Sequence, residues 1–501
     1  MIIESLDGVG EFDSVIVGAG TVGLYLANIL VKRGLTVLCI EEGGLTLEPT
    51  IQEQNNCRQL GHAHTGTINA RARMVGGTSN LWGGQLTKFR EEDFSGRFGL
   101  DWGCTFSDLN DLYKKVGEDL GVNSLAMSDD EILRELGLSD IKNSSIEFYY
   151  THWLKEPNFR IFYSKMIKEN ANFKIAINSK VTKIVLDDAG VRVKSLIVLT
   201  SDGGRQIEVL DKRVYLSSGT MENVYLLLNS MKDEKINRIG RGFQDHIDVD
   251  CAKINIKNQK KFKQYFLNAF LKGNKIQPRL RLTTTGLGSS INVASSLKFS
   301  SSIRDDVDAL KTLLKGVARG RGVGWKAVAG SIRALKVLYP MIVEYMKNRR
   351  IHEFFDGGVT VRAHIEQRPN NGSCLDLDEN TTDAFGNKAL SVCWDVDWGE
   401  TIDALRSYTN NLKDFLEVSG IGTLEIMNYV LERDVEELKS KSRDSYHQCG
   451  GVSCQKDDGV VELNGSFKGI ENLGVVGACV FPNSSYANPT LTALAMCHLQ
   501  K

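Results

Sequence analysis

The chain has 501 residues, of which 42% are apolar and 25% are charged, and its formal net charge is −1. This length exceeds what one hydrophobic core usually supports, so we expect two domains or one domain with large insertions. The near-neutral charge argues against nucleic acid as a partner, and no apolar stretch is long enough to span a bilayer. An acidic N-terminus without an apolar leader predicts a cytoplasmic protein. The sequence does not specify an oligomeric state.

The first predicted elements are a strand, a glycine turn, a helix and a second strand. Residues 13–17 form an apolar, β-branched run typical of a buried parallel strand, and residues 24–33 have the apolar spacing of a helix. Gly18-Ala19-Gly20-Thr21-Val22-Gly23 lies between them, and the second strand, residues 36–40, ends at Glu41. This context predicts a Rossmann-like dinucleotide site. The alternative is a glycine-rich turn in an unrelated α/β protein.

Each residue type in this motif has a physical role. Gly18 permits the tight turn, Gly20 lets a pyrophosphate approach the backbone, and Gly23 allows the helix to pack closely on the strand. The helix N-terminus, at Thr21 and Val22, offers amide donors and a partial positive charge to phosphates. Glu41 lies eighteen residues beyond Gly23 and is expected to accept hydrogen bonds from ribose hydroxyls, with Glu42 beside it.

A second glycine-rich segment reads RARMVGGTSNLWGG over residues 71–84. Its four glycines and its Thr-Ser-Asn run make it a poor helix or strand. We interpret it as a loop pressed against a flat ligand, with backbone donors facing that ligand. The alternative is a surface loop, but a solvent-exposed loop rarely contains Met74, Val75, Leu81 and Trp82.

The chain end carries a third motif. Residues 474–482 have the pattern of a strand and its exit, and residues 493–499 are apolar helix formers. Pro489 stands where a helix can begin without losing a hydrogen bond, and Asn488 immediately precedes it. The positive end of such a helix suits a reduced, anionic flavin ring.

These three motifs, in this order, resemble the glucose–methanol–choline (GMC) oxidoreductase family. Gly477-Ala478-Cys479 and residues 487–497 (ANPTLTALAMC) are most similar to its pyranose-oxidase-like sugar oxidoreductases. Residues 239–246 (IGRGFQDH) resemble the family's GxxxQDH segment. The resemblance implies an α/β fold, with a Rossmann-like FAD-binding domain and a discontinuous α+β substrate-binding domain.

The resemblance also implies the site residues. His447, in Tyr446-His447-Gln448-Cys449-Gly450, matches the family's catalytic base, and Asn488 matches its partner. A neutral imidazole can take a proton from an alcohol near physiological pH, while the flavin takes the hydride. The residues expected at the cofactor are Gly18, Gly20, Thr21, Val22, Gly23, Glu41, Glu42, Arg73, Gly76, Gly77, Thr78, Asn80, Leu81, Trp82, Gly83, Val181, Gly219, Gly477, Ala478, Asn488, Pro489 and Thr490.

The sequence departs from the family pattern in three places. Leu81 stands where some members attach FAD covalently through a histidine, so we expect noncovalent FAD. Gly451 replaces a frequent threonine, and Gly477 replaces an aspartate that reaches the ribityl chain. Without the resemblance, His447 would be interpreted as a structural histidine in a glycine-rich turn.

The remaining histidines and the cysteines predict no metal site. The other seven histidines show no partner comparable to that of His447 in the sequence, and His62 and His64 lack further ligand-like neighbours. The ten cysteines contain no CxxC pair, so we expect free thiols.

The division into domains follows the motifs. We expect a discontinuous FAD-binding domain at 1–105, 153–250 and 440–501, and a substrate-binding domain at 106–152 and 251–439. Strands are predicted at 358–365 and 389–396, with a turn at 366–373.

One segment is unusually basic. Residues 311–350 carry ten Lys or Arg and a single acid, Glu344, with apolar residues at roughly helical spacing. We expect a helical basic insertion near 304–350. Either its basic face is solvated while the helix packs on the substrate domain or a second subunit, or the helix lies on an anionic membrane surface.

Three functions are compatible with the sequence. The preferred one is an FAD-dependent oxidase or dehydrogenase that oxidises an alcohol group of a sugar, glycoside or polyol. The second is a lyase on the same scaffold, which would keep FAD without using it for redox chemistry. The third is a flavoprotein with a role at a membrane, where a lipid-linked glycan would be the substrate or the flavin subunit would serve assembly.

Overall fold

The computed structural model describes residues 1–141, 145–231, 237–283, 291–302, 331–382 and 386–500, without the side chains of 331–338 and 348. The strands are β1 (Ile2–Ile3), β2 (Ser14–Val17), β3 (Val37–Ile40), β4 (Arg58–Gly61), β5 (Gln85–Leu86), β6 (Ile146–Trp153), β7 (Phe173–Ala176), β8 (Lys180–Leu186), β9 (Val193–Thr200), β10 (Gly203–Glu208), β11 (Arg213–Leu216), β12 (Ile247–Ile256), β13 (Ala269–Leu271), β14 (Asn274–Leu282), β15 (Val293–Ser300), β16 (Gly358–Ile365), β17 (Cys374–Thr382), β18 (Lys388–Trp394), β19 (Gly422–Ile426), β20 (Arg443–Asp444) and β21 (Leu473–Val475). The helices are α1 (Thr21–Lys32), α2 (Pro49–Gln52), α3 (Gly66–Asn69), α4 (Phe106–Leu120), α5 (Asp129–Glu135), α6 (Phe159–Phe162), α7 (Ser164–Glu169), α8 (Thr220–Ser230), α9 (Gln259–Phe266), α10 (Ser331–Asn348), α11 (Trp398–Val418), α12 (Asn428–Leu431), α13 (Val435–Lys441) and α14 (Thr490–Cys497).

The first sheet is parallel and has the order β1-β7-β3-β2-β11-β21. Its central strands β2 and β3 are buried along their whole length, which is why their sequences are nearly continuous apolar runs. Both strands lie within one residue of their predicted bounds. Helix α1 begins three residues earlier than its apolar spacing indicated, because polar Thr21 already belongs to it. The predicted Rossmann-like α/β architecture is confirmed.

The second sheet has the order β19-β12-β16-β15-β14-β6-β5, with β13 and β20 attached at β14 and β12. Its strand pairs are antiparallel, and helix α11 packs against it. Strand β16 has its predicted bounds, β18 overlaps the prediction for 389–396, and residues 366–373 join β16 to β17 without a strand. The domain boundaries proposed from the sequence stay a prediction.

Two smaller sheets complete the described part of the chain. One has the order β10-β9-β8, and the other has the order β17-β18-β4, in which β4 runs parallel to β18. In this second small sheet, β4, which follows α2, pairs with β18, which precedes α11.

The chain end forms the strand and exit predicted at residues 474–482. Strand β21 stops at Val475, so most of that range belongs to the exit. Gly477, with φ 124°, turns the chain away from the sheet, and Ala478–Val480 form a 3₁₀ turn in which Cys479 and Val480 are buried by packing rather than by strand pairing. Helix α14 follows directly on Pro489, as expected for a proline at a helix start.

Residues 303–330, which include the first half of the basic segment, lie outside the described residues. The rest forms α10, in agreement with the predicted helical insertion. Within the described residues, no helix is both long and apolar enough to cross a membrane. The contact of this segment with a membrane surface stays a prediction.

Candidate active site

A deep cleft opens at the carboxyl ends of the parallel strands. Gly18 follows β2, Glu41 follows β3, Ser217 follows β11 and Val476 follows β21, and all four line the cleft. Its free space is about 1410 Å³, counted out to the open mouth. In open α/β sheets this edge is where ligands bind, because the helix N-termini and the strand ends converge there.

The first glycine turn is shaped by backbone contacts that exclude side chains. A Cβ atom on Gly23 would lie 2.1 Å from the carbonyl oxygen of Gly18 and 2.6 Å from Oγ of Ser217. Gly18 itself has a φ of 98°, and a Cβ there would lie 2.8 Å from Cα of Ser218. These distances support the packing role predicted for Gly23 and the turn role predicted for Gly18.

The second glycine segment touches the first. The amide of Gly76 donates to the carbonyl of Ala19 at 2.8 Å, and a Cβ on Gly77 would lie 2.9 Å from Cα of Gly20. A Cβ on Gly20, in contrast, would meet no atom closer than 3.9 Å. The two loops therefore form one wall, and Gly20 leaves room for a ligand to approach the backbone.

Glu41 lies at the edge of the cleft with both carboxylate oxygens held by the backbone. Oε2 accepts from the amide of Ala19 at 2.8 Å, and Oε1 accepts from the amide of Gly43 at 3.0 Å. Burial raises the pKa of Glu41 to about 7, against the opposing effect of these two hydrogen bonds. Each oxygen keeps a lone pair for a further donor such as a ribose hydroxyl.

A buried ion network forms another part of the cleft wall. Arg73 is paired with Glu42 and Glu222, Arg71 is paired with Glu222, and Lys180 lies 3.0 Å from Glu42. The guanidinium of Arg73 also bonds Asn55 and the Gln54 carbonyl, so the protein itself occupies its donors. The sequence prediction included Arg73 and Glu42 but missed Arg71, Lys180 and Glu222, because nothing in their spacing indicates a shared ion network.

Most of the predicted cofactor residues line this cleft. Those that do are Gly18, Gly20, Thr21, Val22, Glu41, Glu42, Arg73, Gly77, Thr78, Val181, Gly219, Gly477, Ala478, Pro489 and Thr490. His447 lines it too, together with residues that the sequence did not single out, among them Ser218, Thr220 and Gln448.

Seven predicted cofactor residues are not part of the cleft lining: Gly23, Gly76, Asn80, Leu81, Trp82, Gly83 and Asn488. Leu81 is 49% exposed, and the Trp82 indole donates to the carbonyl of Pro157 at 2.8 Å. The Asn80 amide donates to Gly77 and accepts from Asn158. Asn80 and Trp82 thus bond the chain around Pro157. The contact of residues 80–83 with the cofactor stays a prediction.

His447 is held in a chain of hydrogen bonds that fixes its tautomer. Nε2 of His246 lies 3.1 Å from the carbonyl oxygen of Ser484, and a carbonyl can only accept, so this nitrogen carries the hydrogen. Nδ1 of neutral His246 is therefore an acceptor. It lies 2.8 Å from Nδ1 of His447, which must donate. Nε2 of His447 is left with a lone pair.

Asn488 completes this chain. Its Nδ2 donates to Nε2 of His447 at 3.1 Å, and its Oδ1 accepts from Oγ1 of Thr87 at 3.4 Å. The Thr87 hydroxyl thereby orients the amide with its nitrogen toward the histidine. The predicted pair of His447 and Asn488 is brought together by the fold, with the basic nitrogen and an amide donor side by side.

Asp245 fixes the two histidine-bearing segments to each other. Its Oδ1 accepts from the amide of His246 at 2.7 Å and from the amide of His447 at 2.9 Å. Tyr446, immediately before His447, has a φ of 65°, which is uncommon for a residue with a large side chain. The strained turn persists because Asp245 and the paired backbone of Gln244 and Cys449 hold it in place.

The environment of His447 keeps it neutral. Burial lowers its pKa well below the ordinary value of 6.5, and the adjacent His246 lowers it further. A neutral imidazole with an unprotonated Nε2 is the form that accepts a proton.

Two expectations about the other histidines were wrong. His246 is a direct partner of His447, although 201 positions separate them in the chain. His64 does have ligand-like neighbours, since its Nε2 lies 3.0 Å from Asp245 and its Nδ1 lies 3.6 Å from Asp444. Burial lowers the pKa of His64, but the bond to Asp245 together with the charges of Asp245 and Asp444 raises it overall. The His64 ring thus lies between two buried carboxylates.

The family match falls on the segment that carries His447 and Asn488. Residues 371–497 match the family model described as GMC oxidoreductase. The match covers this segment only, so the part of the chain that carries His447 and Asn488 is similar to GMC oxidoreductases. No curated protein sequence gave a match. The pyranose-oxidase-like branch expected from the sequence stays a prediction.

Solved structures share the fold of this chain at low identity. Pyridoxine 4-oxidase from Mesorbium loti is 17% identical with a TM-score of 0.57, over 97% of this chain and 98% of that one. A formate oxidase of Aspergillus oryzae, studied for FAD modification, is 15% identical with a TM-score of 0.55, over 97% of each chain. A fungal aryl-alcohol oxidase is 15% identical with a TM-score of 0.56, over 97% of each chain.

Proposed function

We propose that this protein is a GMC oxidoreductase that binds FAD noncovalently in the cleft and oxidises an alcohol group of a sugar, glycoside or polyol. The cleft offers what a dinucleotide needs. The N-terminus of α1 beside the open Gly20 backbone suits a pyrophosphate, and Glu41 suits a ribose. The N-terminus of α14 lines the same cleft, where Pro489 and Thr490 would meet the flavin ring.

The observation that carries the proposal is the acceptor at Nε2 of His447. An alcohol loses a proton from oxygen and a hydride from carbon, so two electrons leave with the hydride and the carbonyl forms. FAD, when bound, is the group that accepts that hydride. His447 takes the proton at Nε2, and it can do so without a change of tautomer because its Nδ1 hydrogen stays bonded to His246.

Asn488 orients the alcohol for this transfer. Its Nδ2 lies 3.1 Å from Nε2 of His447, so an alcohol oxygen that replaces this hydrogen bond would accept from Asn488 while it donates to His447. The amide does not titrate, which keeps this contact constant across the working pH. Holding the oxygen at this point reduces the entropy cost of the transfer.

The proposal is tested by an anaerobic screen of sugars, glycosides and polyols against the purified protein, read at the flavin absorbance. The right alcohol should bleach the flavin, and His447→Ala should slow the bleaching by at least ~10²-fold, within the range for loss of a general base. Acid precipitation should release all the flavin into the supernatant. Bound flavin that no alcohol in the panel bleaches would instead support a lyase, and a colourless protein that cannot be loaded with FAD would refute both functions.

A further inference from the structure

One face of the second sheet covers the segments that carry His447 and Asn488. The Tyr149 ring on β6 contacts the Tyr486 ring at 5.1 Å in an edge-on arrangement, and the Arg281 guanidinium on β14 lies 5.5 Å from the centre of the same ring. Tyr486 is two residues before Asn488. Asp248 on β12 pairs in register with Arg443 on β20, four residues before His447. This face therefore forms a wall beside the reacting groups.

The register across the sheet places Arg279 on that same face. Arg279 pairs with Tyr149 across β14 and β6, and directly paired residues point their side chains to one side. Its alternate neighbours Pro278 and Leu280 are buried on the opposite side. The charge of Arg279 also reaches the imidazole of His447, where it contributes to lowering that pKa.

Three other cationic side chains on this face form ion pairs with carboxylates. Arg281 is paired with Glu92 and Glu147, and Arg362 lies 3.0 Å from Asp248. Lys298 lies 2.6 Å from Asp250. Arg279 differs, because no carboxylate among the described residues lies within ion-pair distance of it.

Arg279 is nonetheless held in a defined place. Its Nη2 donates to Oε1 of Gln85 at 2.8 Å, and the amide nitrogen of Gln85 is fixed by Thr151 at 2.7 Å and Gln277 at 2.8 Å. Its Nε is buried and has no acceptor among the described residues. A positioned guanidinium with an unused donor suits a planar or tetrahedral oxyanion, which it can bind through two hydrogen bonds.

We propose that Arg279 binds an anionic group of the substrate, a carboxylate or a phosphate, on the same molecule as the alcohol that His447 deprotonates. This inference rests on the proposed function and narrows its substrate class from neutral sugars and polyols to sugar acids or sugar phosphates. The guanidinium would form an ion pair with such an anion, whereas a neutral polyol has no charged group to pair with it.

The test compares glucose, glucuronate and glucose 6-phosphate, which share one ring and differ in charge and in the anion. Their binding to the oxidised holoenzyme is followed by the perturbation of the flavin spectrum and by calorimetry, and flavin reduction is followed anaerobically. We expect at least one anion to bind ~10-fold or more tightly than glucose, an effect that falls at high salt. Which anion binds better distinguishes a carboxylate site from a phosphate site.

Arg279→Gln should raise the Kd of the preferred anion by ~10- to 100-fold and leave that of glucose within ~3-fold, while Arg279→Lys should recover part of the loss. Arg205→Gln, which removes an exposed charge on β10, is the matched control and should change neither Kd. Equal binding of all three sugars, or an anion preference that survives in Arg279→Gln, would overturn the proposal. Because binding is measured without turnover, a failure of the proposed oxidation would show separately, as binding without bleaching.

Discussion

The Nδ1 atoms of His246 and His447 lie 2.8 Å apart, and only one hydrogen can lie between them when both rings are neutral. The Ser484 carbonyl, at 3.1 Å from Nε2 of His246, decides that this hydrogen belongs to His447. A main-chain carbonyl thus determines which nitrogen of His447 can act as a base. His246 positions that base through its tautomer without touching the alcohol.

Replacement of His246 should show whether this residue acts as a hydrogen-bond acceptor for His447 or only as a packed ring. His246→Phe keeps a ring but offers no acceptor to Nδ1 of His447, so we expect kcat to fall by ~10²-fold, the usual scale of general-base catalysis. His246→Asn can still accept and should retain more activity than His246→Phe. Rapid-reaction measurements of flavin reduction test this order, and FAD content with circular dichroism monitors folding. Equal losses in both variants would indicate a packing role only.

The pH dependence of kcat/KM should follow the lowered pKa of His447. Because burial favours the neutral imidazole, the base stays active as the pH falls through 6.5 and is lost only below that value. The acidic limb of the pH profile should therefore lie below pH 6.5. His447→Gln should abolish the limb together with most activity, whereas His352→Gln should leave the profile unchanged. A limb at or above pH 6.5 would contradict a buried, neutral base.

Glu41 should make FAD binding pH-dependent. In the apoprotein its pKa is raised to about 7, so the carboxyl carries a proton below that pH, whereas ribose hydroxyls donate best to the carboxylate. Binding then releases a proton, and FAD affinity should increase as the pH rises from 6 to 8. Glu41→Gln should bind FAD more weakly and with a flatter pH dependence. Fluorescence titration of apoprotein with FAD measures both, and a wild-type affinity that falls over this range would contradict the assignment.

The same raised pKa bears on stability. A carboxyl whose folded-state pKa exceeds its unfolded value contributes stability that is present below about pH 4.5 and is lost as the pH rises to about 7. At pH 8 the apoprotein should therefore melt at a lower temperature than Glu41→Gln apoprotein. Melting curves of the two apoproteins at pH 5 and pH 8 check the sign, and a variant that is no more stable at pH 8 would speak against it.

Helix α10 offers a test of the membrane hypothesis. Tyr339, Ile342 and Met346 on this helix are 72%, 53% and 74% exposed, and the surrounding sequence is basic. We expect wild-type protein to float with vesicles rich in phosphatidylserine at low salt, and to do so less at high salt. The triple change to serine should abolish flotation, while Val418→Ser, at a residue 77% exposed, should not. Wild-type protein that stays with the unbound fraction would end the hypothesis.

The sequence predicted those features that depend on neighbours along the chain. The strand–turn–helix around Gly18 and Gly23 was predictable because a close backbone approach requires glycine there, and strand β16 because its alternation matches one buried face. The helix after Pro489 followed from the proline itself. These are local requirements of the backbone, so a few consecutive residues of the sequence are enough to predict them.

Features that join distant segments could not be predicted in this way. His246, Asp245 and the ion network of Arg71 and Glu222 acquire their roles from partners far away in the chain. Val476 to Pro482 has the apolar pattern of a strand because it is buried, yet Gly477 takes it out of the sheet. Burial alone does not specify which backbone partner a segment finds.

Strand β21, at residues 473–475, pairs with β11 at the edge of a sheet whose centre is built from residues 14–40. Val476 and the start of α14, which line the cleft, are consequently synthesised after the glycine turns that form its first wall. A nascent chain must keep those turns together without the later walls during most of the synthesis of this region. The complete cleft can form only once both parts have been synthesised.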